Sequence, residues 1–298
     1  MKRINHTLLL SALRIAKSSK AKALFLSLDS INELPSEEVP KGCTLIFATR
    51  RRTDELDNLF PDGIPASCPI IQLPKVDMTR MGQIKMAVVL ALSNQLIQPG
   101  DKVVFLTGAL EMESLDMILL VDTERESEIL TTQGLSGISD SVKPEVFEEM
   151  LAIALELANK GREGKPVGTI FVLGDEQKVL QLSKQMIINP FKGHTDEERN
   201  VLNPNLKETL REFSAIDGAF VISGEGQVLT AGRYLGAASD EATTPRGLGA
   251  RHIAAAGITA LTQAIAIVIS ESTGDVRIFK NGKILMEIEK PIKAPKAF

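Results

Sequence analysis

Three short clusters in the second half of the chain carry the residue types that phosphate and proton chemistry require. The first is Asp217-Gly218-Ala219, one carboxylate set against two of the smallest residues. Glycine and alanine leave room for a ligand or a second backbone to approach the acid closely. About thirty residues further on comes Gly247-Leu248-Gly249-Ala250-Arg251-His252. Glycines that run into helix-forming sequence expose backbone N–H groups at the positive end of a helix dipole, an arrangement that binds anions. Arg251 and His252 add donors in that first turn, where cations are unfavourable for the helix and favourable for a phosphate. The third cluster is Ser270-Glu271-Ser272-Thr273, hydroxyls and a carboxylate that follow an apolar run. Each cluster also has an ordinary structural reading. Asp217 can cap a helix, the glycines can form a loop with a surface Arg251 and a buried, hydrogen-bonded His252, and Ser270 can open a turn before Gly274.

Other chemistries are poorly supported. Gly247 and Gly249 match the first two glycines of a dinucleotide fingerprint, but His252 occupies the third position, and no GxxxxGK followed by Ser or Thr is present. Two cysteines, Cys43 and Cys68, and three scattered histidines give no zinc spacing. They give no disulfide framework either, so a reducing, cytoplasmic location is expected. The formal net charge is −4, with Lys and Arg spread along the chain. A nucleic-acid surface would need a basic stripe, so no nucleic-acid partner is expected. No run approaches the ~18 consecutive apolar residues of a membrane span. The first twenty residues lack the apolar core and cleavage site of a signal peptide.

At 298 residues the chain is long enough for two domains. Its 44% hydrophobic and 24% charged content is that of a globular protein, and the scarcity of aromatics predicts an aliphatic core. The first part alternates helical and strand-like segments. A helix over about His6–Lys17 precedes the short apolar runs Lys22–Leu28, Cys43–Thr49, Cys68–Pro74, Asp101–Gly108 and Leu115–Thr123. A long helix capped by Thr79 lies among them. This alternation predicts an α/β domain with a parallel sheet covered on both faces. The segment Thr131–Glu145, rich in Ser, Thr and Gly, reads as a linker and sets domains of 1–139 and 140–298. An amphipathic helix with Val146, Met150, Ile153 and Leu157 on one face opens the second. Strand-like runs, a helix leading into Asp217, and an Asn281-Gly282 hairpin signal then predict a mixed sheet.

The order Asp-Gly-Ala, then Gly-Ala-Arg-His, then Ser-Glu-Ser-Thr resembles the diadenylate cyclase domain, with likeness over roughly Val142 to Lys290. Asn281-Gly282-Lys283 fits the hairpin after the last motif. Ile253 stands where bacterial members have a second arginine, Ala250 where Thr is often found, Ile216 where His is common, and Ser272 where the family has a second Glu. The first half is similar to the α/β domain of archaeal members, which resembles the C-terminal domain of pyruvate kinase. The resemblance implies condensation of two ATP into cyclic di-AMP with release of pyrophosphate, and Mg²⁺ or Mn²⁺ as cofactor. Asp217, Arg251 and His252 are the catalytic residues it implies. It further implies that Gly218, Ala219, Leu235, Gly249, Ala250, Ser270 and Glu271 contact substrate, Leu235 packing on the adenine, with Asp217 and Glu271 at the metal. Each 3′-oxygen must reach the α-phosphorus of the other nucleotide, so self-association into at least a dimer is expected. The alternative is a nucleotide-sensing protein of the same fold that binds without turnover.

Overall fold

The computed structural model describes residues 3–61, 63–109, 114–123, 141–236 and 249–291. The chain divides into two compact units, Met1–Lys75 with Gln83–Thr132, and Val76–Gly82 with Gln133–Phe298. Of the expected linker Thr131–Glu145, residues 131–140 lie outside the described residues, as does Gly247, the first glycine of the loop, and the linker's last two residues, Pro144 and Glu145, already belong to a helix.

In the first unit, β1 (Ala23–Ser27), β2 (Thr44–Thr49), β3 (Ile70–Gln72), β4 (Lys102–Ala109) and β5 (Ser114–Asp122) form one sheet in the order β3-β2-β1-β4-β5. The first four strands are parallel neighbours. Helix α1 (Arg3–Ser19) places Leu9, Ala12 and Ala16 against Leu24, Leu26, Val104 and Leu106. The alternate side chains Phe25 and Phe105 stack on the opposite face, with ring centroids 4.3 Å apart. Both faces of β1 are therefore covered, which is why it reads as an unbroken apolar run. Helix α2 (Thr53–Leu59) follows β2, and α3 (Arg80–Ser93) follows β3. Thr79 caps α3 as expected, its Oγ1 accepting the Gly82 N–H at 2.9 Å. One expectation needs correcting: β5 runs antiparallel to β4, so the sheet is mixed. Only four residues separate the two strands, far fewer than a parallel crossover requires.

The second unit opens with α4 (Pro144–Lys160), whose Val146, Met150, Ile153 and Leu157 are all buried. Its sheet runs β12-β11-β10-β6-β8-β9-β7. In chain order the strands are β6 (Thr169–Leu173), β7 (Ser183–Gln185), β8 (Ala219–Ile222), β9 (Val228–Leu235), β10 (Ile265–Ile269), β11 (Val276–Lys280) and β12 (Lys283–Ile288). Between them lie α5 (Glu176–Gln181), α6 (Leu206–Phe213) and α7 (Ala250–Leu261). Helix α7 packs Ala255, Ala256 and Ile258 on Ile170, Val172, Val221, Ala266 and Val268. Helix α4 packs on β10 and β11 and contributes nothing to that cluster. Asn281 and Gly282, both at positive φ, make the β11–β12 turn. The mixed sheet expected for this half is present.

Candidate functional site

The sheet directions gather the sequence clusters at one edge. β6 and β8 are parallel, with Ile170 beside Ala219, so their N-terminal ends are adjacent. β10 is antiparallel to β6, with Ile269 beside Thr169, so its C-terminal end falls at the same edge. Asp217 lies just before β8, Gly168 just before β6 and Glu271 just after β10. The order β10-β6-β8 sets Gly168 between the two acids. Helix α7 begins here, with Gly249 as its N-cap.

Arg251 joins these segments. Its Nη1 donates to Glu271 Oε2 at 2.9 Å and its Nη2 to Asp217 Oδ1 at 3.3 Å. The two carboxylates come from the ends of different strands and meet on one guanidinium at the head of α7. Asp217 is 90% exposed, Glu271 60% and Arg251 34%, so incoming anions and water can reach all three. Gly249 and Ala250 are exposed at the helix start.

Gly218 has φ +103°, and a Cβ there would lie 2.7 Å from the Arg233 backbone nitrogen and 2.8 Å from the Gly232 carbonyl carbon. Only glycine fits this close approach of β8 to β9. Met186 and Ile187 border the same two glycines, Met186 beside Gly218 and Ile187 beside Gly232.

The remaining expected site residues are placed differently. His252 is buried on α7, and its Nε2 is 2.9 Å from Arg277 Nη1. A guanidinium only donates, so Nε2 accepts and the proton resides on Nδ1. Arg277 is itself paired with Asp275 and Glu287. Burial, and then the Arg277 charge, push the His252 pKa below its ordinary value and keep the ring neutral. Its Nδ1 is buried and has no partner among the described residues. Ala219 and Leu235 sit in the apolar cluster under α7, at 0% and 5% exposure. Ser270 is buried; its Oγ lies 3.3 Å from Ser272 Oγ, and its carbonyl accepts the Gly274 N–H, closing a turn. The structure therefore brings Asp217, Arg251 and Glu271 together and sets His252, Ala219, Leu235 and Ser270 behind them.

Gly168 was not singled out from the sequence. An ideal Cβ on it would lie 2.8 Å from Arg251 Nη1 and 2.8 Å from Glu271 Cβ. A glycine directly ahead of a fully buried strand is the only sequence signal it offers.

Comparison with known proteins gives this arrangement its class. Residues 156–284 match the family model described as DisA bacterial checkpoint controller nucleotide-binding, and residues 5–131 match one described as Probable sensor domain DacZ_P. The first of these matches lies wholly within the second unit. The chain is 40% identical over 207 residues to a diadenylate cyclase of Methanocaldococcus jannaschii, a match spanning 69% of this chain and 66% of that protein. It is 35% identical over 237 residues to a diadenylate cyclase of Haloferax volcanii, spanning 78% of this chain and 84% of that protein. Among solved structures it is similar to DacA from Staphylococcus aureus, with 24% identity over 48% of this chain and 85% of that one and a TM-score of 0.35. The chain belongs to the diadenylate cyclase family, a family of nucleotidyltransferases.

Proposed function

We propose that this chain condenses two ATP molecules into 3′,5′-cyclic di-AMP and releases two pyrophosphates. The observation that carries the reading is the bridge from Arg251 to Asp217 and Glu271 at the N-terminus of α7. In each half-reaction a ribose 3′-oxygen forms a bond to the α-phosphorus of the other nucleotide. The bond from that phosphorus to the oxygen bridging the α- and β-phosphates breaks, and pyrophosphate leaves with the electron pair. Asp217, exposed beside the bare backbone of Gly218, takes the proton from the attacking 3′-hydroxyl or fixes its direction. Arg251 and the N–H groups of Gly249, Ala250 and Arg251, which take no hydrogen-bond partner among the described residues, bind the triphosphate and offset the charge that builds on it. His252 holds its Nδ1 proton toward the helix start, 3.9 Å from where a Gly249 Cβ would lie, as a buried donor to a phosphate oxygen. Ser270 shapes the turn that presents Glu271, and Ala219 and Leu235 form the apolar backing on which the adenine side of the site rests.

The donor chemistry suits Mg²⁺ or Mn²⁺. Asp217 and Glu271 offer hard carboxylate oxygens at the two ends of the Arg251 guanidinium, and among the described residues no group of three or more His, Cys, Asp or Glu forms a complete cage. Two carboxylates with phosphate oxygens and water are the ligand set these ions take at nucleotide sites. When bound, the ion neutralises phosphate charge during nucleotidyl transfer.

Among the described residues one chain presents one such cluster, and two nucleotides must exchange bonds, so two chains must meet face to face. Bringing the reactants together in this way is worth about 7–11 kcal/mol of barrier. A two-fold interface meets that demand. We assign residues 140–298 to the cyclase domain and 1–139 to an assembly or regulatory domain, and place the activity in the cytoplasm. The test is incubation of the purified chain with ATP and Mg²⁺ or Mn²⁺. Cyclic di-AMP should form with wild type and not with Asp217→Asn. Nucleotide binding with no pyrophosphate release under either metal would favour the sensing alternative.

A further inference from the structure

We infer that Gly168 is a positioning residue of this site: by having no side chain it lets Arg251 close over the start of β6 and touch both acids at once. The inference rests on the cyclase reading for what Arg251 does, but the close approach of Arg251 and Glu271 to Gly168 does not depend on it. β6 lies between β10 and β8, so the line from Glu271 to Asp217 passes over the residue that enters β6. That residue is Gly168, and the Arg251 guanidinium lies on it. An ideal Cβ there would meet Arg251 Nη1 at 2.8 Å, Arg251 Cζ at 3.2 Å and Glu271 Cβ at 2.8 Å. Carbon and nitrogen at rest stay about 3.5 Å apart, so the guanidinium would have to withdraw by more than about half an ångström. Glu271 Cβ is tied to the turn after β10 and yields less readily.

Gly168 differs in kind from Gly218. It is not among the glycines of positive φ, so alanine can adopt its backbone conformation. The atoms that a methyl group would strike belong to Arg251 and Glu271 rather than to the main chain. Gly168→Ala should therefore fold and fail at the site alone. The withdrawn guanidinium cannot keep one nitrogen on Glu271 and the other on Asp217, because the contacts at 2.9 Å and 3.3 Å are made from opposite ends of one rigid fork.

The test is a double-mutant cycle on the full-length chain with Gly168→Ala, Arg251→Ala and the double variant. Three quantities are read: melting temperature, affinity for an ATP analogue with a methylene between the α- and β-phosphorus, and cyclic di-AMP formation. Gly168→Ala should leave the melting temperature within about 2 °C of wild type, weaken the analogue about tenfold and lower kcat on the order of a hundredfold, the scale of an ångström-sized misplacement. In the Arg251→Ala background the same methyl group should cost several-fold less than it does in wild type, because the contact with Arg251 is gone and only the push on Glu271 Cβ remains. Gly168→Ala behaving as wild type, or its cost multiplying in full with that of Arg251→Ala, overturns the inference. If wild type binds the analogue yet makes no cyclic di-AMP, the cyclase reading fails and the analogue affinities still decide the role of Gly168. If wild type does not bind the analogue, both fail.

Discussion

Replacing Arg251 with alanine should separate stability from activity. The two ion pairs it makes are 2.9 Å and 3.3 Å long, but their acids are 60% and 90% exposed, so water screens both. Pairs of this kind contribute about 0.2–1 kcal/mol each, and the longer one belongs at the low end. The summed loss is about 1 kcal/mol. For a folding unit of this size that lowers the melting temperature by about 2–4 °C. The effect on turnover should be far larger. Removing one fixed donor from developing transition-state charge costs about 10²- to 10³-fold in kcat. Differential scanning fluorimetry gives the first number and chromatographic assay of cyclic di-AMP the second. Arg251→Lys should fall between, because an ammonium is a point charge and cannot span two carboxylates as a planar fork does. If Arg251→Ala kept kcat/KM within about fivefold of wild type, the bridge would be incidental. If it lost more than about 10 °C, the residue would be structural and the activity loss uninformative.

Two further outcomes follow from neighbouring residues. Burial and Arg277 lower the His252 pKa below 6.5, so the unfolded chain binds more protons than the folded one once the pH drops under about 6.5. His252 therefore costs no stability above that pH and makes the fold progressively less stable as the pH falls through the folded-state value. In His252→Gln, which keeps an acceptor for Arg277, the acid arm of a melting-temperature profile should be flatter; an unchanged arm would contradict the buried neutral ring. Gly218→Ala forces φ +103° on a residue with a side chain and drives its Cβ into the Arg233 and Gly232 backbone. The left-handed conformation and the clash together should cost about 2–5 kcal/mol, read by urea unfolding, and a loss below about 1 kcal/mol would show that the β8–β9 approach is looser than described.

Much of the fold was legible because buried strands announce themselves. β1, β2, β6 and β10 are short apolar runs covered on both faces, and the amphipathic face of α4 holds the residues its spacing predicted. The direction of β5 was not legible from its own residues; it lay in the brevity of the connection to β4. β7, Ser183–Gln185, carries no apolar run, and only its pairing with β9 makes it a strand. At the site, Asp217, Arg251 and Glu271 were chosen from the sequence as separate motifs, and the structure sets them in contact. Arg251 and His252, adjacent in sequence, were read as a pair. Successive residues on a helix point about 100° apart, so one faces the sheet edge and the other the interior. Gly168 was invisible because its meaning depends on which strands flank β6, a non-local fact that a single sequence does not carry.

The most direct measurement of the central claim is the ratio and the concentration dependence of products from pure protein, ATP and Mg²⁺ or Mn²⁺. The account predicts two pyrophosphates for each cyclic di-AMP, with a rate per chain that falls as dilution dissociates the face-to-face pair. Pyrophosphate without cyclic di-AMP, or a rate per chain that stays constant into dilutions where sedimentation shows only monomers, would contradict it.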